Sequence, residues 1–334
     1  MQESFRRPRA TCALMAALLL FVAGRQPAAA DPVAYRAGIS DPVNTVLAMY
    51  MAQAAGFYAA QGLKVEIVNM NGGSRGAQEL QAGRIDNMHV GLSSVIRTNR
   101  AGGDLRTIAS LSNVIRFVFF SAPGVRTAAD LKGGVVGVST FGSESDSTVT
   151  LALKRLGLTR EDVVLKEYGG GPKRLAAVRT GEIKATALNE PFSSLAREQG
   201  LNPMVDLAAE QIPWLFSSLV VRRGDLTSRR DLHKRFLKAT IEGNYLALSD
   251  AARAKEVLAK ELKITDAKIL GISYEDFKQQ SPPDTEPSRA GAENILTQFP
   301  GGSSKLDDYI DVSLLDEIKA EGFLDSLRRT YLKQ

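Results

Sequence analysis

Cysteine is nearly missing from this chain of 334 residues: Cys12 is the only one. A single thiol excludes an internal disulfide and a cysteine-rich metal or iron–sulfur site. Histidine is as scarce, with only His89 and His233. That leaves carboxylates as the main metal donors, and no Asp-x-Asp-x-Asp-Gly loop gathers them, so neither a metal nor a cofactor is expected. Long apolar runs are also lacking. The longest, Ala13 to Ala23, falls short of the roughly 20 residues a membrane span needs, and nothing later approaches it. Excess charge is slight as well. Residues 1 to 30 hold four of the 42 basic and one of the 37 acidic residues, so without them the formal charge falls from +5 to +2. A basic nucleic-acid-binding domain is therefore not expected.

What is present is ordinary for a globular protein, with 44% hydrophobic and 24% charged residues, and the length calls for two lobes. The first thirty residues stand apart. Arg6, Arg7 and Arg9 precede the apolar run, and Ala28-Ala29-Ala30 offers small residues for cleavage before Asp31, the pattern of a cleavable signal peptide. Export to the periplasm follows as the expectation. The ordinary secretory route is expected over a twin-arginine route based on Arg6-Arg7. Cys12 lies ahead of the apolar run, which argues against a lipid anchor.

Beyond residue 30, hydrophobic periodicity predicts a strand over 33–39, a helix over 44–61, a strand over 64–70, a helix from Gly72-Gly73 to about Gln81, and a strand near 85–90. Strand–helix alternation predicts parallel sheets. The pattern then recurs over residues 135–188, and the residues recur with it. Gly38-Ile39-Ser40 matches Gly137-Val138-Ser139 at an offset of 99; at an offset of 98, Gly72-Gly73 falls on Gly170-Gly171, Arg75 on Lys173, and Gly83 with Ile85 on Gly181 with Ile183. An ordered series that keeps register through strand, loop, helix and strand implies two similar α/β lobes. The last third reads as a short strand near 217–221 followed by helices, with a loop over 281–288, and should pack on one lobe. The expected division is residues 31–120 with 221–334 in lobe one and 121–220 in lobe two, with crossings near 119–123 and 217–224.

In open α/β sheets a ligand crevice lies beyond the carboxyl ends of the strands, where helices begin with unpaired N–H groups. Here those places are rich in Ser, Thr, Gly and Asn. The candidate ligand contacts are Ser40, Asp41, Asn44, Gly73, Ser74, Arg75, Ser93, Ser139, Ser143, Gly170, Lys173, Asn189 and Glu190. Hydroxyls, free N–H groups and helix dipoles suit a small anionic or zwitterionic solute, and Arg75 and Lys173 add positive charge at two equivalent helix starts. The plainer role of each Ser or Asn is a helix cap. Phe141 and Trp214 are the aromatic candidates near the crevice, beside Tyr168 and Phe192, which suit a core. For Asp146 a helix cap and a surface salt bridge are the expected roles.

Several ordered stretches then resemble the substrate-binding proteins of ABC importers of the nitrate, sulfonate and taurine type, which include the thiamine-pyrimidine-precursor binders. They are Gly62-Leu63-Lys64-Val65-Glu66, Gly72-Gly73-Ser74, Gln81-Ala82-Gly83-Arg84-Ile85-Asp86, Ala129-Asp130-Leu131-Lys132-Gly133, Gly142-Ser143, Glu190-Pro191-Phe192 and Asp311 to Gly322. The resemblance implies a two-lobed periplasmic binding protein fold with a ligand cleft between Rossmann-like lobes. It also implies a monomeric receptor that hands its solute to a membrane permease driven by an ATPase. It raises Glu190 as a cleft residue and does not name the solute. The expectation is a protein with no catalysis of its own. The rival is a secreted serine hydrolase, because Gly72-Gly73-Ser74-Arg75-Gly76 fits the G-x-S-x-G pattern. No His-Gly-Gly-Gly segment precedes it, and the histidines offer little: His89 sits in a strand and His233 on a charged helix.

Overall fold

The computed structural model describes residues 1–3, 31–303 and 305–332; apart from its first three residues, the expected signal peptide lies outside them. The described residues contain ten strands: β1 (Val33–Ile39), β2 (Leu63–Asn69), β3 (Asn87–Val90), β4 (Leu105–Val114), β5 (Val118–Ser121), β6 (Val135–Val138), β7 (Val164–Glu167), β8 (Ala185–Leu188), β9 (Asn202–Asp206) and β10 (Pro213–Arg222). They form two five-stranded sheets, ordered β2-β1-β3-β10-β4 and β7-β6-β8-β5-β9. The two orders are equivalent position by position, so the repeat read from the glycines is a repeat of topology.

Each sheet is mixed rather than wholly parallel. β1 runs parallel to β2 and β3, and β6 to β7 and β8, but β10 is antiparallel to β3 and β4, and β5 to β8 and β9. The cause is the connection. A chain leaving one sheet at its carboxyl edge enters the other sheet at that same edge, so the incoming strand must run back against its neighbours. The linking segments are consequently 115–117 and 207–212, each several residues ahead of the expected crossing, and both β5 and β10 belong to the sheet they enter.

Packing follows the repeat as well. A side chain on Gly38 would lie 2.6 Å from Ile85 Cδ1, and one on Gly137 would lie 2.7 Å from Ile183 Cδ1. The same glycine gives the same isoleucine its space in both halves. The helix expected over 44–61 is divided into Asn44–Val46, Leu47–Ala54 and Phe57–Ala60, with the break at Gly56, whose φ of 77° favours glycine. The helices of the last third cover the first sheet's half. Tyr35 on β1 stacks on Phe236 of the Arg230–Ser249 helix at 4.4 Å, and Thr107 of β4 donates its N–H to Tyr309 O.

Candidate functional site

The carboxyl ends of both sheets meet around a cavity of about 60 Å³. Its wall takes Ser40, Asp41 and Gly73 from loops of the first sheet, His89 and Gly91 from β3 and its end, and Phe216 and Ser217 from β10. The second sheet's half supplies Ser139, Ser143 and Asn189 from loops and Glu144 and Arg174 from the helices that follow. Six residues singled out from sequence therefore line one cavity: Ser40, Asp41, Gly73, Ser139, Ser143 and Asn189.

The contacts across the cleft obey the repeat. Residue 41 follows β1, and its carboxylate accepts the N–H of Gly171, where the Gly171–Thr180 helix begins. Thr140 follows β6 at the offset of 99, and its hydroxyl accepts the N–H of Ser74, in the first turn of the Gly73–Gln81 helix, at 3.3 Å. A Cβ on Gly72 would strike Thr140, and one on the equivalent Gly170 would strike Asp41. These glycines are needed for the approach of the two halves. A further contact has no counterpart. Glu144 accepts from Ser93 N–H at 2.8 Å through Oε1 and from Trp214 Nε1 at 2.7 Å through Oε2, and a Cβ on Gly91 would overlap it.

On the wall itself, Ser139, Ser143 and Ser145 join their hydroxyls at 2.9 Å, and Ser145 Oγ also accepts Ser139 N–H at 2.8 Å. Ser143 caps the Glu144–Arg155 helix, so the capping role and the wall position coexist in one residue. Arg174 is buried and donates from Nε to Gly169 O at 3.0 Å and from its terminal nitrogen to Ala187 O. Burial without a contacting carboxylate lowers its pKa to about 10, against the pull of Asp41. Burial raises the Asp41 carboxyl, and raises that of Glu144 to about 7. His89 is held neutral, its pKa lowered to about 4 by burial.

The other sequence candidates sit elsewhere. Arg75 and Lys173 are exposed and outside the cavity wall. Phe141 is 43% exposed, and its N–H binds Glu167 at 2.6 Å. Asn44 is turned to the last third, donating to Ser273 O at 2.9 Å and to Asp276 Oδ2 at 2.8 Å. Glu190 accepts from the hydroxyls of Ser193 and Ser194 and lines a separate groove of about 720 Å³. Trp214 and Ser93 serve Glu144, and Gly170 packs on Asp41. Asp146 accepts Gly142 N–H at 2.8 Å and pairs with Arg160 at 2.6 Å, but the ion pair is not a surface one, because the Asp146 side chain is buried. Ser74 Oγ has no hydrogen-bond partner, and no side chain pairs with His89, so the G-x-S-x-G stretch builds no Ser–His pair. His233 bonds Tyr35 at 3.0 Å instead. Among the described residues no group of three or more His, Cys, Asp or Glu is placed to hold a metal, and no helix is long and apolar enough to cross a membrane.

Arg174, Glu144 and His89 were not among the sequence candidates. Arg174 had a signal: at the offset of 98 it stands opposite Gly76, so the repeat breaks there from glycine to arginine.

A family model described as NMT1/THI5 like matches residues 44–254. The riboflavin-binding protein RibY of Chloroflexus aurantiacus is 26% identical over 202 residues, which cover 58% of this chain and 56% of that protein. The chain thus spans little more than half the length of this relative. Among solved structures, one from Bordetella bronchiseptica RB50 superposes with a TM-score of 0.78 at 19% identity, over 87% of this chain and 98% of that one. The periplasmic aliphatic sulphonate binding protein SsuA of Escherichia coli gives 0.62 at 22%, over 88% and 94%. The desulfurization enzyme DszB gives 0.62 at 18%, over 86% and 99%. Likeness at these identities shows the fold, that of the periplasmic binding proteins, which binding proteins and an enzyme share.

Proposed function

The chain belongs to the NMT1/THI5-like family, and from that premise we propose that it is the solute receptor of an ABC-type importer, exported to the periplasm and without catalysis of its own. One lobe carries the first sheet with the last third of the chain, and the other carries residues 118–206. The observation behind this reading is the cavity itself, walled by strand-end loops of both sheets and bridged by side chains from each half. Its volume of about 60 Å³ is far below the roughly 300 Å³ or more of a typical small-molecule site. A solute of more than a few atoms therefore requires the lobes to part and re-close, with the links at 115–117 and 207–212 as the hinge. Closure on the solute is favoured only by contacts made in the closed form. The closed receptor then docks on a permease as a monomer.

A binding role rather than a hydrolytic one is supported by the unpaired Ser74 hydroxyl and by the absence, among the described residues, of a serine, threonine or cysteine hydrogen-bonded to a histidine side chain. The test is a thermal-shift screen of the mature protein against sulfonates, carboxylates, nitrate, taurine, pyrimidines and riboflavin, followed by small-angle scattering. A true solute at 100 times its dissociation constant adds about 2.7 kcal/mol and compacts the protein. A solute that stabilises without compaction would sink the hinge, and turnover of ester substrates lost in Ser74→Ala would sink the receptor reading.

A further inference from the structure

Two helix starts that face the cleft are each occupied by a carboxylate from the opposite half. Glu144, from the second sheet's side, meets the N–H of Ser93 in the first turn of the Leu92–Arg100 helix, and Trp214 supplies a second N–H to its other oxygen. Two donors on two oxygens is the arrangement that recognises a carboxylate or another oxyanion. Asp41, from the first sheet's side, takes the N–H of Gly171 at the head of the Gly171–Thr180 helix. A helix start of this kind is a ready anion site, with unpaired N–H groups and the positive end of the dipole. Here both are filled by groups of the chain itself.

A second observation points to what remains for a ligand. Asp41 is 9% exposed and lines the cavity, yet its Oδ1 has no hydrogen-bond partner. A buried carboxylate oxygen in that condition calls for a donor. Arg174, on the same wall, does not supply one: its Nε and one terminal nitrogen are engaged with Gly169 O, Thr186 Oγ1 and Ala187 O, and its remaining terminal nitrogen makes no hydrogen bond or ion pair with Asp41. The exposed Arg75 and Lys173 bring no charge to the wall.

We propose that the carboxyl groups of Glu144 and Asp41 are built-in occupants that close the cleft's helix starts to oxyanions, so that the solute is a neutral or cationic molecule bringing an N–H or O–H donor to Asp41 Oδ1. This replaces the anionic solute expected from Arg75 and Lys173, and it rests on the receptor reading only in taking this cleft as the solute site.

The probes are ethanesulfonate and nitrate, titrated calorimetrically into the mature parent protein, Glu144→Ala and Asp41→Ala. The parent binds both anions more weakly than about 1 mM, the range of weak association. Glu144→Ala uncovers the Ser93 and Trp214 donors, and its affinity for ethanesulfonate rises at least tenfold; Asp41→Ala uncovers Gly171 N–H and reads the same idea should the first variant fail to fold, as judged by circular dichroism. Micromolar binding of either anion by the parent overturns the proposal, and so does a folded variant with no gain. The receptor reading survives both of those outcomes and falls by its own tests, among them that no solute of any charge compacts the protein.

Discussion

Burial raises the Glu144 carboxyl from 4.5 to about 7, while the hydrogen bonds from Trp214 and Ser93 act in the opposite direction and lose. Water is displaced from both oxygens and no cation touches either one; the other ionisable groups on the cavity wall are Asp41, His89 and Arg174. The sign follows from linkage. An acid whose folded pKa is raised binds protons more tightly folded than unfolded, so its contribution is complete below about 4.5 and is lost as pH rises through 7. The loss is on the order of 3 kcal/mol. His89 works the other way, since its depressed pKa of about 4 makes folding more favourable as pH climbs toward 6.5. Urea midpoints of the parent alone would mix the two. The difference between parent and Glu144→Gln isolates the acid: it should shrink or change sign between pH 5 and pH 8, and a pH-independent difference would show that Glu144 is not titrating in this window. Glu144 escaped notice in the sequence because a glutamate in the first turn of a helix reads as dipole compensation, and only the tertiary approach of Ser93 and Trp214 gives it another role. Arg75 and Lys173 are exposed and lie off the cavity wall. Their equivalence under the repeat is real, but long basic side chains at a helix start reach solvent readily.

Two glycines inside helices, Gly243 and Gly271, look alike in sequence and should respond oppositely to the same change. Exchanging a mid-helix glycine for alanine ordinarily gains about 0.5–1 kcal/mol from the unfolded chain's lost freedom. At Gly271, in the Ala267–Gln280 helix, an added Cβ meets nothing within 4 Å, so Gly271→Ala should realise that gain. At Gly243, in the Arg230–Ser249 helix, the Cβ would lie 2.3 Å from Ala48 O and 2.7 Å from Ala52 N. Those are backbone atoms of the Leu47–Ala54 helix and cannot turn aside, so Gly243→Ala should destabilise by about 1–3 kcal/mol despite its better propensity. Denaturant midpoints decide both, and equal shifts for the two variants would refute the packing argument. The elements themselves were partly legible. β2 alternates over most of its length, one face partly buried and the other open, and its bounds agree with the sequence reading to within a residue; β1 agrees too, although its last three residues are all buried. β4 was not read at all. Its residues Leu105 to Ser112 are buried on both faces, with Arg106, Ser110 and Ser112 hydrogen-bonded within the fold and the Thr107 hydroxyl buried without a partner, so polarity and burial are uncoupled there and the period of two disappears.

At the scale of the whole molecule, both links between the sheets are tied to the last third of the chain through one buried ion pair. Arg116 stands in the first link and donates from Nε to Asp276 Oδ1 at 2.8 Å, while its terminal nitrogen reaches Ala208 O of the second link at 3.3 Å. Asp276, on the Ala267–Gln280 helix, uses its other oxygen to accept from Asn44 at 2.8 Å and Gln280 at 2.6 Å. Side chains of both partners are at most 10% exposed. Taking two charges from water costs nearly what their attraction returns, so the pair adds little net stability, yet removing one partner strands the other in a dry site. Asp276→Leu or Arg116→Met alone should therefore cost about 3–5 kcal/mol, whereas the two together should recover most of it. The double-mutant cycle then yields a coupling energy well above the 0.3–0.5 kcal/mol of independent sites. If the single and double variants lose stability additively, the two links are not joined through this pair. The double variant also carries a second readout. With the charged tie between the links replaced by apolar contacts that have no fixed direction, small-angle scattering should report a wider range of lobe separations before solute is added, and the same compact form after it.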